Sequence, residues 1–256
     1  MALKYRSIRG TRDILPGQSE KWRYVERVAL ETAATYGIRQ IRIPTLEKTE
    51  LFTRSVGETT DVVQKEMYTF LDKKERSITL KPEGTAGAVR ALIEGKLFAQ
   101  AQPQKMYYLN NPIFRYENPQ HGRLREHHQF GMECFGAKEP TADAELISML
   151  LNMLSGLGLD DLTVHINSIG CPTCRPAYHQ RLREYLGDNL EHLCDNCRQR
   201  FDRNPLRVLD CKEPGCKRIV ADAPVVLDML CEECDSHFTQ LQKLLDAAGV
   251  RYQVDT

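Results

Sequence analysis

The chain has 256 residues, 41% of them hydrophobic and 27% charged, with 35 basic and 35 acidic side chains. That describes a folded globular protein with room for one large core or two smaller ones, and a net charge of zero excludes a generally basic surface, so any nucleic-acid binding must rest on a local patch. No run of 18 apolar residues occurs, so no membrane helix is expected, and the polar start, MALKYRSIRGTRD, lacks the apolar stretch of a secretory signal, so the expected location is the cytoplasm.

Residues 1–18 carry Gly10, Pro16 and Gly17 and read as an extended entry. Ser19 has the chemistry of an N-cap, and Trp22, Val25, Ala29, Ala33 and Tyr36 come after it at helical spacing, with Gly37 placed to stop the helix. Ile38, Ile41 and Ile43 alternate with polar residues as in a strand that ends at Pro44. Two short strands, 68–72 and 77–82, flank the turn KKER, and a helix over 83–95 opens on glycine-rich backbone. Two further strands, 105–117 and 127–136, enclose a polar loop. Thr141 then caps a long apolar helix, a strand spans 162–170, and an amphipathic helix from His237 leads to a closing strand at 250–254. Adjacent strands joined by tight loops, with helices between some of them, predict an α+β fold on an antiparallel sheet flanked by helices.

The stretch PIFRYENPQHGRLREHHQFGMECFG, 112–136, concentrates functional chemistry. Alternation along a strand puts Arg115 and Glu117 on one face, and Gln129 and Glu133 on one face with Gly131 between them. A sheet face of acids, an amide and an arginine suits a ligand: arginine grips phosphate in a bidentate fork, and carboxylates hold ammonium or amino groups. The competing interpretation is a solvated hairpin with ordinary surface charges. Glu83 and Thr85, at the start of the helix over 83–95, have a competing role as helix caps.

The texture changes near residue 170. Eight of the nine cysteines lie between Cys171 and Cys234. Cys171 and Cys174, Cys194 and Cys197, and Cys231 and Cys234 are CxxC pairs, and Cys211 and Cys216 have four residues between them. Such spacing lets two thiolates reach one tetrahedral ion at ~2.3 Å, so four pairs suit two structural Zn²⁺ sites. The sequential grouping sets Cys171, Cys174, Cys194 and Cys197 against Cys211, Cys216, Cys231 and Cys234; an interleaved grouping is equally drawable. The alternative is a set of small buried thiols filling a core, the role expected of Cys134. Residues 198–218 hold seven Lys/Arg against three Asp/Glu, a local patch suited to phosphates or simply a solvated surface.

Taken together, RGTRDILP (9–16), KPEGTAG (81–87), FRYENPQHGRLREHHQFGMECFG (114–136) and DAELI (143–147) resemble a class II aminoacyl-tRNA synthetase, specifically the histidyl-tRNA synthetase family. The resemblance implies a class II catalytic core over 1–170, a cysteine-rich helical insertion domain over 171–248 facing the tRNA acceptor stem, and the start of a returning core strand over 249–256. It implies a homodimer whose interface uses residues 19–44. It also implies histidine–tRNA ligase chemistry: L-histidine attacks the α-phosphorus of ATP, held with Mg²⁺, and the histidyl-adenylate acylates tRNA(His). Arg115 would steady the α-phosphate as the catalytic arginine, and Glu117 would hold adenine or order the loop. Arg123 would reach the distal phosphates, and His127, where the family often has another aromatic residue, would stack on adenine. Glu83, Thr85, Gln129 and Glu133 would bind histidine.

In the family, a second catalytic arginine segment, the third class motif and an anticodon-binding domain come after the strand matched by VRYQV, and none occurs by Thr256. The chain therefore resembles the amino-terminal part of a synthetase. A second resemblance is to catalytically silent synthetase-like subunits that regulate the phosphoribosyltransferase of histidine biosynthesis. The presence of Arg115, Glu117, Arg123 and the cysteine module argues against it.

Overall fold

The computed structural model describes residues 5–57, 60, 62–109, 112–120 and 122–255. The chain divides into two compact units, one of residues 1–138 with 149–160, the other of 139–148 with 161–256. The division thus differs from a single cut at residue 170, since the strand that precedes the cysteines belongs to the same unit as they do.

The first unit opens with helix α1, Ser19–Thr35. Its N-cap is Gln18 rather than Ser19, and the terminus is held by Glu20, whose Oε2 accepts from the Gly17 N–H at 2.6 Å. The helix stops as expected. Gly37 takes φ +65°, its N–H bonds to Ala34 O, and the Ile38 N–H bonds back to Ala33 O, which is the Schellman arrangement. That turn delivers Ile38 into a core with Ala33, Tyr107, Leu109 and Met149.

Strand β1, Arg39–Gln40, is shorter than the alternation of isoleucines suggests. It runs parallel to β5, Gln104–Tyr108, and one more bond, Ile41 N–H to Tyr107 O, extends it towards Pro44. Next come β2, Leu46–Lys48; α2, Thr49–Val56; β3, Tyr68–Leu71; β4, Ser77–Leu80; and α3, Thr85–Glu94. Strands β2, β4 and β3 form an antiparallel sheet with β4 in the middle. The KKER turn is held by Asp72, whose Oδ1 accepts from the N–H groups of Lys74 and Arg76. β5, Gln104–Tyr108, pairs antiparallel with β8, Gly131–Phe135, and β6, Ile113–Phe114, with β7, Glu126–His127. The expected strand 105–117 is therefore two pieces, joined through Asn110 and Asn111, which lie outside the described residues. Helix α4, Pro140–Gly156, begins at the proline rather than after Thr141, as fits a residue with no N–H to donate.

In the second unit β9, Val164–Ile166, pairs in parallel with β10, Tyr252–Val254. Between them lie α5, Cys174–Asp188; α6, Asp195–Arg203; α7, Leu206–Leu209; α8, Pro214–Val220; and α9, Glu232–Ala247. The result is a helix-and-sheet protein with a helical cysteine module, as expected; the parallel pairs β1–β5 and β9–β10 qualify the antiparallel expectation.

Candidate functional site

The first site is assembled on the segment between β4 and α3. Phe114 N–H bonds to Lys81 O at 3.0 Å, and Arg115 Nε donates to Pro82 O at 2.8 Å. The residue after that proline is Glu83, so one short run of backbone positions both the arginine and an acid. With Nε engaged, the terminal nitrogens of Arg115 make no hydrogen bond among the described residues.

Glu83 accepts from the N–H groups of Thr85 at 2.7 Å and Ala86 at 2.9 Å, capping α3 in place of the side-chain-less Gly84. The capping role and the site role thus coincide in one carboxylate. The Thr85 hydroxyl donates to Glu133 Oε1 at 2.7 Å, and the Tyr108 hydroxyl approaches the same oxygen at 3.3 Å. Two carboxylates consequently converge on Thr85, and neither has an ion-pair partner among the described residues.

Tyr108 was not singled out by periodicity or motif. It faces Gly131 across β5 and β8. A Cβ on Gly131 would lie 2.2 Å from its ring, and one on Gly84 would lie 2.3 Å from it. Both glycines therefore make room for the tyrosine, and they were the signal available in the sequence. Burial pushes the phenol up to about 12, so it stays a hydrogen-bond donor beside Glu133.

The expected common face of Arg115 and Glu117 does not form. The Glu117 N–H bonds to Arg115 O at 2.8 Å, a three-residue turn that ends the strand and breaks the alternation. Arg125 supports this turn: its Nε donates to Glu117 O, and its guanidinium lies 4.1 Å over the Tyr116 ring. Gln129 is exposed and lies ahead of β8, outside the strand, so its alignment with Glu133 is not set by the sheet.

His127 is half-buried on β7. Burial, and then the positive charge of Arg115, lowers its pKa, while Glu117 acts in the opposite direction. Arg115, Glu117 and His127 are therefore electrostatic neighbours, and the imidazole is neutral at pH 7. Arg123 sits exposed at the hairpin tip, where its backbone exchanges two hydrogen bonds with Gln120. Gly10 O accepts from the Arg125 N–H at 2.7 Å, so the RGTRD segment braces the loop. Arg12, Trp22, His127 and His128 line a cavity of about 430 Å³ there, and Glu83 and Thr85 open onto a separate groove of about 1560 Å³ along α2 and α3.

Lys81 is a further residue that sequence did not single out. Its side chain is 1% exposed, and Nζ has no hydrogen-bond partner among the described residues. Burial lowers its pKa against the opposing pull of Glu47, a carboxylate already held by Arg90 at 2.7 Å.

The second site is sulfur. Eight cysteines form two groups of four, Cys171, Cys174, Cys231 and Cys234, and Cys194, Cys197, Cys211 and Cys216, the sulfurs of each lying within 4.8 Å of one another. This corrects the sequential grouping drawn from sequence: the first pair joins the fourth and the second joins the third. The interleaved grouping, first with third, fails as well. The reason is tertiary, because the chain leaves Cys174 along α5 and returns only at Cys231, so the two ends of the module meet.

Sulfur separations of 3.6 Å (Cys171–Cys174), 3.8 Å (Cys171–Cys231) and 3.9 Å (Cys194–Cys211) are far too long for disulfides. They match the edge of a tetrahedron with ~2.3 Å metal–sulfur bonds, which is about 3.8 Å. Backbone N–H groups already point at sulfur, Thr173 to Cys171, Cys231 to Cys174 and Cys194 to Cys216, as they would towards thiolate. Backbone donors pull Cys171 down to about 6, whereas burial and the neighbouring sulfurs push Cys234 up to about 12. Four sulfurs this close cannot all ionise without a cation between them.

A model of the family described as histidyl-tRNA synthetase matches residues 10–172. A histidine–tRNA ligase of Clostridium botulinum is 56% identical over 247 residues, covering 96% of this chain and 59% of the relative. One from Caldanaerobacter subterraneus subsp. tengcongensis is also 56% identical with the same coverage. Among solved structures, apo histidyl-tRNA synthetase of S. aureus superposes with a TM-score of 0.76 at 36% identity, over 98% of this chain and 57% of that one. A Bacillus halodurans protein titled as an ATP phosphoribosyltransferase regulatory subunit/histidyl-tRNA synthetase gives 0.68 at 20% identity over 100% of this chain and 68% of that one, a likeness of fold alone. The chain thus spans little more than half the length of the curated relatives it matches.

Proposed function

Because this chain belongs to the histidyl-tRNA synthetase family, we propose that it carries the histidine-activating half-site of a histidine–tRNA ligase. The observation that supports this best is the pair of carboxylates, Glu83 and Glu133, meeting at Thr85 without a cation among the described residues. They suit a ligand bearing an ammonium and an imidazole, which is histidine. Arg115, anchored through Nε, offers its terminal nitrogens to an α-phosphate, and Glu117 and His127 stand beside it for the adenine end of ATP. Arg123 at the exposed tip suits the distal phosphates, with Mg²⁺ bridging them. Gln129 closes the histidine pocket.

The reaction needs no protein nucleophile. The histidine carboxylate attacks the α-phosphorus and pyrophosphate leaves, so the residues contribute position and charge neutralisation. Transfer to tRNA(His) comes next, and the basic run 198–218 suits the phosphates of the acceptor stem. The regulatory-subunit alternative needs no phosphate-binding arginine and is the weaker reading. The expected location is the cytoplasm, and a homodimer through residues 19–44 is supported by the exposed Tyr24, Val25 and Leu30 of α1. Each four-cysteine group would hold a structural Zn²⁺, its four thiolates leaving no open position for catalysis.

Amino-acid-dependent ATP–pyrophosphate exchange, run with all twenty amino acids on a protein of full family length, tests the activity. Exchange with histidine alone is expected, and Arg115→Ala should lower its rate by about 100-fold or more with the fold intact. Exchange with a different amino acid, or undiminished exchange in the variant, would overturn the assignment.

A further inference from the structure

The two four-cysteine groups differ in what they close and in what covers them. Cys171 and Cys174 stand where the chain enters the module, and Cys231 and Cys234 where it leaves. Gly170, at φ +63°, makes this junction possible: a Cβ there would lie 2.8 Å from the Cys174 Cβ and 3.7 Å from the Leu230 side chain. The Cys231 N–H then reaches Cys174 Sγ at 3.1 Å. The outer group therefore ties the two ends of the module together. Three of its four cysteines are partly exposed, and only Cys174 is buried.

The inner group is part of the module's core. Cys197, Cys211 and Cys216 are buried together with Leu182, Leu186, Leu193 and Val208. Its loop, from Cys194 to Cys216, carries α6, α7 and most of the basic run. An ion there would sit inside a packed core to which α6 and α7 contribute Phe201, Leu206, Val208 and Leu209, whereas an ion in the outer group would close a neck.

We infer that the module holds two zinc ions in a nested, hierarchical arrangement: an inner ion that forms its core, and an outer, exchangeable ion that clasps its ends and leaves first. This rests on the zinc reading above and adds to it the different roles of the two ions and the order of their release. Solvent access sets that order, because a chelator must reach the sulfurs it displaces. The nested partition makes the one-ion state a defined species, closed at the core and open at the neck.

The test uses the wild-type chain purified with zinc and a competing chelator added in steps. Metal content and native mass spectrometry are read at each step, and freed thiols are trapped with iodoacetamide and mapped by peptide. Two zinc ions are expected, and then a one-ion species alkylated at Cys171, Cys174, Cys231 and Cys234 with Cys194, Cys197, Cys211 and Cys216 protected, Cys134 being outside both groups. Joint labelling of Cys171, Cys174, Cys194 and Cys197 would overturn the nesting while leaving the zinc sites standing. Early labelling of the inner four, or simultaneous release of both ions, would overturn the hierarchy. A folded chain that binds no zinc would remove the metal reading itself. As a second measurement, Cys171→Ser with Cys231→Ser should cost one zinc, and Cys171→Ser with Cys194→Ser should cost both. The reverse result excludes the nested partition.

Discussion

The two sites solve the problem of clustered polar groups in opposite ways. Around Arg115 and Glu133 the protein supplies the partners itself: Pro82 O for the guanidinium, the α3 N–H groups for Glu83, and the hydroxyls of Thr85 and Tyr108 for Glu133. In the cysteine module a few backbone N–H groups meet sulfur, but they do not neutralise four thiolates. A site held by protein hydrogen bonds stands ready before its ligand arrives. A site whose ligands repel one another takes its stability from the ion.

Metal removal should break that contrast most sharply. Stripping zinc forfeits binding free energy on the order of 10 kcal/mol per site, so the module should lose its helical circular dichroism. The single tryptophan, Trp22, belongs to the other unit, and its emission should not change. A concerted loss of both signals would show that the first unit also depends on the metal.

Gly131→Ala strikes the preorganised site. Its Cβ would enter the Tyr108 ring, and overpacking of this kind costs about 2 kcal/mol. Chemical denaturation should report that loss, and histidine affinity should fall with it. Tyr108→Phe keeps the ring and removes only the donor to Glu133. It should weaken histidine binding by about 1.5 kcal/mol, roughly tenfold, with little change in stability. Calorimetric titration separates the two variants.

The smallest expected effect is a gain. Lys81 Nζ is buried with no hydrogen bond among the described residues, so Lys81→Met should stabilise the fold by about 1 kcal/mol. Burial lowers the Lys81 pKa, so the folded chain binds that proton less tightly than the unfolded chain. The penalty is complete at neutral pH and fades as pH rises through the lowered value towards the ordinary ~10.4. The advantage of methionine should therefore be larger at neutral pH than in alkali. A destabilised Lys81→Met chain would indicate that Lys81 has a partner function instead.

Much of the first site was legible because its residues lie close in sequence. Glu83 and Thr85 flank one glycine, and Arg115 to Glu133 is one continuous stretch of chain, so motif and neighbourhood coincide. The alternation argument failed at Tyr116 because a single backbone bond from Glu117 to Arg115 outweighed the period of a strand. The same locality explains why Gly37 was legible as a helix stop: a Schellman turn is complete within six residues.

Composition and spacing alone determined that the chain is globular, that its cysteines come in metal-sized pairs, and that an arginine and several acids share one short stretch of chain. These are local facts, fixed by bond lengths and by the few residues a turn can span. Which cysteine pairs meet, that Tyr108 reaches Glu133 between two glycines, and that Lys81 lies buried near Glu47 were decided by tertiary structure. Each joins segments distant along the chain, and only packing chooses among the pairings that local geometry allows equally.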